Sequence, residues 1–213
     1  MPGPATDARR RLLGAAALAL LGGCAAPALP PGDGERAWAG RFSLVLRSRN
    51  RSQAWSGRFA LLASAQHSSI ELYSPLGSTL ARCEWGPWGA RIRVAGGDGP
   101  REESGEDPQE LALRLLGWPL PLAQLSSWIQ GRPAPDSGAQ GSKGGEGDET
   151  SFDQDGWSVH AHSVAPGGRP VRIEIARAPA PAAADATADS GADSGADSAA
   201  NAAVALRIVL DPP

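Results

Sequence analysis

From Trp38 onward the chain alternates. Trp38, Phe42, Leu44 and Leu46 fall on one side of an extended backbone, and Arg41, Ser43 and Arg47 fall on the other. A period of two is the pattern of a strand with one face buried and one face wet. Residues 47–52, Arg-Ser-Arg-Asn-Arg-Ser, form a polar turn, after which Trp55, Gly57, Phe59 and Leu61 alternate with Ser56 and Arg58. The two segments read as a hairpin. Ile70 and Leu72, then Ala81, Cys83 and Trp85, then Ala90, Ile92 and Val94 repeat the pattern. Five short segments of this kind in about 60 residues specify an antiparallel meander.

Helical spacing occurs only in the middle of the chain. Asp107 stands as an N-cap, Pro108 at the first helical position and Glu110 as the acid of a capping box; Leu111, Leu115 and Leu116 share a side, and Gly117 ends the segment. Pro121 starts a second helix with Leu122, Leu125, Trp128 and Ile129 on one face, stopped by Gly131 and Pro133. Trp118-Pro119-Leu120-Pro121 is an extended corner between them, since the residue before a proline is pushed out of the helical region. Alternation resumes at Trp157, Val159 and Ala161, at Val171, Ile173 and Ile175, and at Val204, Leu206, Ile208 and Leu210. Roughly eight or nine strands with two amphipathic helices predict an α+β fold: a curved antiparallel sheet, or incomplete β-barrel, whose apolar side the helices cover. Alternation leaves open whether side chains or a ligand fill the interior.

Two stretches break the pattern. Residues 136–149 are rich in Gly, Ser and acids; residues 178–203 are rich in Ala, Pro, Asp and Ser, with Ser-Gly-Ala-Asp repeated. Both are expected to be disordered insertions between strands, because neither holds enough apolar surface to offset the cost of ordering.

The N-terminus sets the location. Arg9-Arg10-Arg11 precedes an apolar run from Leu12 to Leu21, followed by Gly22-Gly23-Cys24. The run is shorter than the ~20 residues that span a bilayer, so residues 1–23 read as a cleaved signal peptide. Leu21-Gly22-Gly23-Cys24 matches the bacterial lipobox, which makes Cys24 the acylated first residue of the mature chain. Ala25 after it directs the protein to the outer membrane, on its periplasmic face. Residues 24–36 then act as a tether, and residues 37–211 form the domain. The full chain carries a formal charge of −3, and removing the basic signal makes it more acidic, so no nucleic-acid footprint is present.

Catalytic patterns are missing. There is no Gly-x-Ser-x-Gly elbow and no phosphate-binding loop. His160 and His162 share a strand face with no carboxylate cluster near them in sequence, so no metal is expected. Cys83 alternates with Ala81 and Trp85 and reads as a small core residue; with Cys24 lipidated it has no disulfide partner. No cofactor is expected, and the chain does not read as an enzyme.

Tyr73-Ser74-Pro75-Leu76-Gly77-Ser78-Thr79 places a leucine at the tip of a tight turn. Together with Gly40-Arg41-Phe42-Ser43, Ser56-Gly57-Arg58-Phe59, Gly117-Trp118-Pro119-Leu120-Pro121, Leu125 with Trp128 and Gly131, and Pro133-x-Pro135, this ordered set resembles the LolB family from about Trp38 to Leu210. The resemblance implies an incomplete barrel capped by helices around an apolar cavity for acyl chains. It implies a receptor that takes acylated lipoproteins from the periplasmic carrier LolA and places them in outer-membrane lipid, without nucleotide. It also implies that Leu76, between Pro75 and Gly77, contacts the membrane during delivery. The inward positions expected to line the cavity are Trp38, Phe42, Leu44, Trp55, Phe59, Leu61, Ile70, Leu72, Trp85 and Trp118. A monomer is expected. The basic turn at Arg47, Arg49 and Arg51 is a candidate for contact with the carrier or with anionic headgroups. The family's helix between the lipidated Cys and the first strand is expected to be absent or a single turn, because Pro27, Pro30 and Pro31 interrupt the tether. The competing reading is a scaffold lipoprotein with a solid core that binds another envelope protein.

Overall fold

The structure is a computed structural model that describes residues 34–48, 51–97, 99–135, 138–144, 148–164, 168–179 and 202–212. Cys24, Ala25, the prolines of the tether, Arg49 and residues 180–201 lie outside the described residues.

Among the described residues eleven antiparallel strands form one open sheet in the order β6-β5-β4-β3-β2-β1-β11-β10-β9-β8-β7. The first six run as a meander: β1 (Arg36–Arg47), β2 (Ser52–Ala63), β3 (Ser68–Tyr73), β4 (Thr79–Gly86), β5 (Gly89–Val94) and β6 (Arg101–Gly105). Helices α1 (Pro108–Leu116) and α2 (Leu122–Trp128) follow. A second meander comprises β7 (Gln140–Gly144), β8 (Glu149–Gln154), β9 (Trp157–Ser163), β10 (Pro170–Arg177) and β11 (Ala203–Leu210). The last strand closes against the first, with Gly40 opposite Leu210 and Arg47 opposite Ala203.

The alternation places one face of nearly every long strand in a single apolar core. Phe42, Leu44, Phe59, Leu61, Ile70, Cys83, Ile92, Val159, Ile173, Ile175, Leu206 and Ile208 are all buried in it. The register of the first hairpin is set by two copies of one tripeptide. Gly40-Arg41-Phe42 on β1 runs against Gly57-Arg58-Phe59 on β2, so Gly40 faces Phe59 and Phe42 faces Gly57. A Cβ on Gly40 would stand 2.1 Å from the Val209 carbonyl oxygen and 3.0 Å from Phe59 Cε1. One on Gly57 would stand 2.0 Å from the Tyr73 carbonyl oxygen and 3.0 Å from Phe42 Cε1. Each ring therefore lies over the glycine across from it, a pairing that fixes register because a one-residue slip turns every side chain to the other face.

Helix α1 begins and ends where its caps dictate. Asp107 accepts hydrogen bonds from the backbone N–H of Gln109 (2.7 Å) and Glu110 (3.2 Å). The capping box is only half made: the Glu110 carboxylate turns to Arg114 at 3.4 Å instead. Gly117 takes the left-handed conformation at φ 76° and its N–H reaches Leu113 O. Helix α1 packs on β5 and β6, burying Leu111 and Ala112. Helix α2 buries Leu122, Leu125 and Trp128, and Gln109 donates to Gln124 across the two helices at 3.1 Å.

The structure departs from the sequence-based expectations in several places. The sheet has eleven strands, not eight or nine, because β6, β7 and β8 carry little inward apolar surface. Strand β7 lies inside the segment 136–149, where disorder was expected, and pairs with β8. Val171 is 40% exposed because β10 shifts register between Pro170 and Arg172.

Candidate functional site

The turn between β3 and β4 is built to hold a leucine outward. Gly77 N–H donates to Ser74 O at 2.9 Å, which makes Pro75 and Leu76 the two central residues of a β-turn. Proline presets the backbone at the first central position, and Gly77 takes φ +88° at the exit. Ser74 N–H donates to Ser78 O at 2.8 Å, and Ser78 N–H donates to Ser74 Oγ at 3.1 Å. At the base of the turn the Tyr73 hydroxyl donates to the Glu71 carboxylate. Burial first, and then that carboxylate, push the Tyr73 hydroxyl up to about 12. Arg82 pairs with Glu71 at 3.0 Å. With its backbone fixed from both sides, the turn leaves Leu76 95% exposed.

Inside the sheet is a small apolar pocket of about 20 Å³, lined by Phe42, Phe59, Ile70, Leu72, Trp118, Leu120, Leu125, Leu206 and Ile208. That volume is close to the space one water molecule needs, and the lining has no polar group to hold one. Of the ten residues expected to line an acyl cavity, Phe42, Phe59, Ile70, Leu72 and Trp118 border this small pocket. Trp38, Leu44, Leu61 and Trp85 are buried in the same core but do not border this pocket. Trp55 is a correction. It shares the inward parity of Phe59 and Leu61, yet it is 39% exposed. Strand β2 runs past the end of β3, whose last partner is Arg58 opposite Tyr73, so Trp55 overhangs the covered part of the sheet.

Sequence reasoning missed the lining residues Leu120, Leu125, Leu206 and Ile208. The alternation on β11 and the helical spacing around Leu125 carried the signal; what they lacked was the knowledge that β11 sits beside β1. It also missed Gln154, a buried polar side chain. Gln154 Oε1 accepts from Trp128 Nε1 at 2.6 Å and from Ala134 N–H at 2.9 Å, while Gln154 Nε2 donates to Ala134 O at 2.9 Å. Trp128 packs edge-on against Phe152 and Trp157, with ring centroids 6.4 and 6.2 Å apart. This network ties the end of α2 to β8 and β9.

Cys83 is fully buried, and burial pushes its thiol up to about 12, so it is no nucleophile at neutral pH. His162 Nδ1 lies 2.9 Å from Glu149, and His160 is exposed. Among the described residues no three His, Cys, Asp or Glu side chains stand together as a metal site, and no helix is long and apolar enough to cross a membrane. Arg47 and Arg51 flank the β1–β2 turn and are exposed.

Comparison with known proteins places these features in a family. A family model described as outer membrane lipoprotein LolB matches residues 37–183. The outer-membrane lipoprotein LolB of Cupriavidus pinatubonensis is 32% identical over 197 residues, covering 85% of this chain and 93% of that protein. The protein of the same name from Bordetella petrii is 36% identical over 155 residues, covering 70% of this chain and 76% of its own length. Among solved structures, a LolA superfamily protein from Nitrosomonas europaea aligns over 83% of this chain at 10% identity with a TM-score of 0.29. That score is too low to carry an argument about shape.

Proposed function

We propose what this protein does from the premise that the chain belongs to the LolB family of outer-membrane lipoproteins. It is a lipid-anchored receptor that accepts lipoproteins arriving through the periplasm and passes them into the outer membrane. The observation that carries the reading is Leu76: a leucine held 95% exposed on a rigid turn, in a domain that buries its inward leucines.

The finer steps are our reading. Cys24 is acylated after removal of residues 1–23, and the carrier is a LolA protein. The cargo's acyl chains enter at the apolar pocket between the sheet and the segment from Trp118 to Leu125. At about 20 Å³ the pocket is far too small for an acyl chain, so loading requires that segment to move off the sheet. An acyl chain of about 15 methylenes gains roughly 12 kcal/mol on leaving water. Parting Trp118, Leu120, Leu122 and Leu125, all buried, from the core costs roughly 6–12 kcal/mol, so the bound chain offsets the opening. Transfer runs downhill when this interior binds acyl chains tighter than the carrier does, and membrane tighter still. A scaffold with a permanently solid core is not favoured.

The deciding experiment mixes the protein with a carrier–lipoprotein complex. The protein is expected to strip the lipoprotein from the carrier; cargo that stays on the carrier at every receptor concentration sinks the reading. A lipopeptide added to the purified protein should also shift the tryptophan fluorescence. Most of that shift should vanish in Trp118→Phe, the only tryptophan lining the pocket. A spectrum that never changes would instead support the solid-core scaffold. For the anchor, Cys24→Ala should abolish incorporation of labelled fatty acid and release the protein from the outer membrane. Label retained at the wild-type level would refute Cys24 as the lipid site.

A further inference from the structure

Leu76 is not alone at its end of the sheet. Trp55 is 39% exposed and Leu80 is 37% exposed. Leu80 falls where β3 and β4 lose register, between the pairs Leu72–Ala81 and Tyr73–Thr79, so the ladder leaves it without a partner on β3. Trp55 lies three residues beyond Arg58, the last residue of β2 paired to β3. Leu76 stands at the tip of the turn that follows Tyr73, at this same end of the strands. The β1–β2 hairpin goes on to Arg47 opposite Ser52, roughly another 10 Å at the usual rise per residue. Its turn carries Arg47 and Arg51, both exposed.

We infer that the membrane contact of this receptor is a patch and not a single residue: Leu76, Trp55 and Leu80 enter the apolar edge of an anionic phospholipid surface while Arg47 and Arg51 bind its headgroups. The inference rests on the proposed function, because it assumes that Leu76 meets lipid. Tryptophan suits the boundary, since its ring is apolar and its N–H stays wet. Arginine stems lie along an apolar surface with the charge kept at headgroup level. Each arginine near an anionic leaflet adds electrostatic attraction to it. Because the Arg47–Arg51 turn projects farther than Leu76, the two sets reach their depths together only if the sheet leans. The β1–β2 hairpin then lies along the membrane surface.

The other exposed tryptophan provides the control. Trp88 is 53% exposed and stacks on His67, with ring centroids 6.4 Å apart. It sits in the β4–β5 turn, at the opposite end of the strands. The test reconstitutes the full lipidated chain into vesicles of phosphatidylethanolamine and phosphatidylglycerol carrying brominated acyl chains, which quench tryptophan on contact. Wild type should be quenched. Trp55→Phe should lose most of the quenching, and Trp88→Phe should keep it. Arg47→Gln with Arg51→Gln should weaken it, as should replacing phosphatidylglycerol with phosphatidylcholine. Trp55→Phe keeping full quenching, Trp88→Phe abolishing it, or an unquenched wild type would each overturn the patch. Leu76→Glu in a cargo-transfer assay separates this failure from failure of the function: blocked delivery with Trp55 unquenched leaves the receptor standing and removes the patch. Quenched Trp55 with normal delivery by Leu76→Glu does the reverse.

Discussion

Leu76→Glu should fold, take lipoprotein from the carrier and fail to release it into the outer membrane. The side chain is 95% exposed, so no packing is lost when it changes. The turn is held by Pro75, by Gly77 and by the Ser74–Ser78 hydrogen bonds, none of which involves the Leu76 side chain. The melting temperature is therefore expected to stay at the wild-type value. The effect falls on lipid contact. Burying a leucine is worth about 1.5–3 kcal/mol, and a carboxylate in its place meets a barrier of about 2.5 kcal/mol or more at depth. The inserted turn should thus lose roughly three orders of magnitude in population. An insertion assay with loaded receptor and outer-membrane vesicles measures this directly. A lowered melting temperature would place Leu76 in the core, and normal delivery would reduce the turn to a connector.

Gln154→Ala should destabilise the domain by about 3–5 kcal/mol, against a total stability of about 5–15 kcal/mol. The substitution orphans the Trp128 ring N–H, the Ala134 backbone N–H and the Ala134 carbonyl, all now satisfied by one side chain. An unsatisfied buried donor or acceptor costs about 1–3 kcal/mol each. The melting temperature should fall by about 10 °C. Trp128→Phe removes one of the stranded donors, so adding it to Gln154→Ala should worsen stability by less than it does alone. Equal losses in both backgrounds, or a Gln154→Ala protein that melts like wild type, would show that the network is not holding α2.

The fold was legible where side chains dictate it. Strands β1 to β5 and β9 to β11 each bury a row of apolar residues, and alternation reports such rows. Strand β6 has no buried residue, and β7, Gln-Gly-Ser-Lys-Gly, has no apolar residue at all. Backbone pairing with a neighbour holds both at the sheet's edges, and backbone pairing leaves no trace in composition. The same reasoning that read 136–149 as too polar to order overlooked a strand whose partner supplies the order. Trp55 and Val171 mark a second limit. Alternation says which way a residue faces, not whether anything stands opposite, and not where a bulge resets the count. Glu110 marks a third: the capping-box spacing was present, but Arg114 one turn later offered the carboxylate a charged partner. Leu76 was legible because proline, leucine and glycine in that order leave the backbone little choice.

The pairing of β1 with β11 has a consequence for how the molecule is made. The first strand to emerge from translocation needs the last one, so the central ladder of the sheet is the final one to form. Until residues 203–210 arrive, Phe42, Leu44 and Leu46 sit on a strand with one edge unsatisfied. Contacts that span nearly the whole chain form slowly, and an open apolar edge is a template for wrong partners. An outer-membrane lipoprotein receptor thus spends its own infancy with its central seam unsealed.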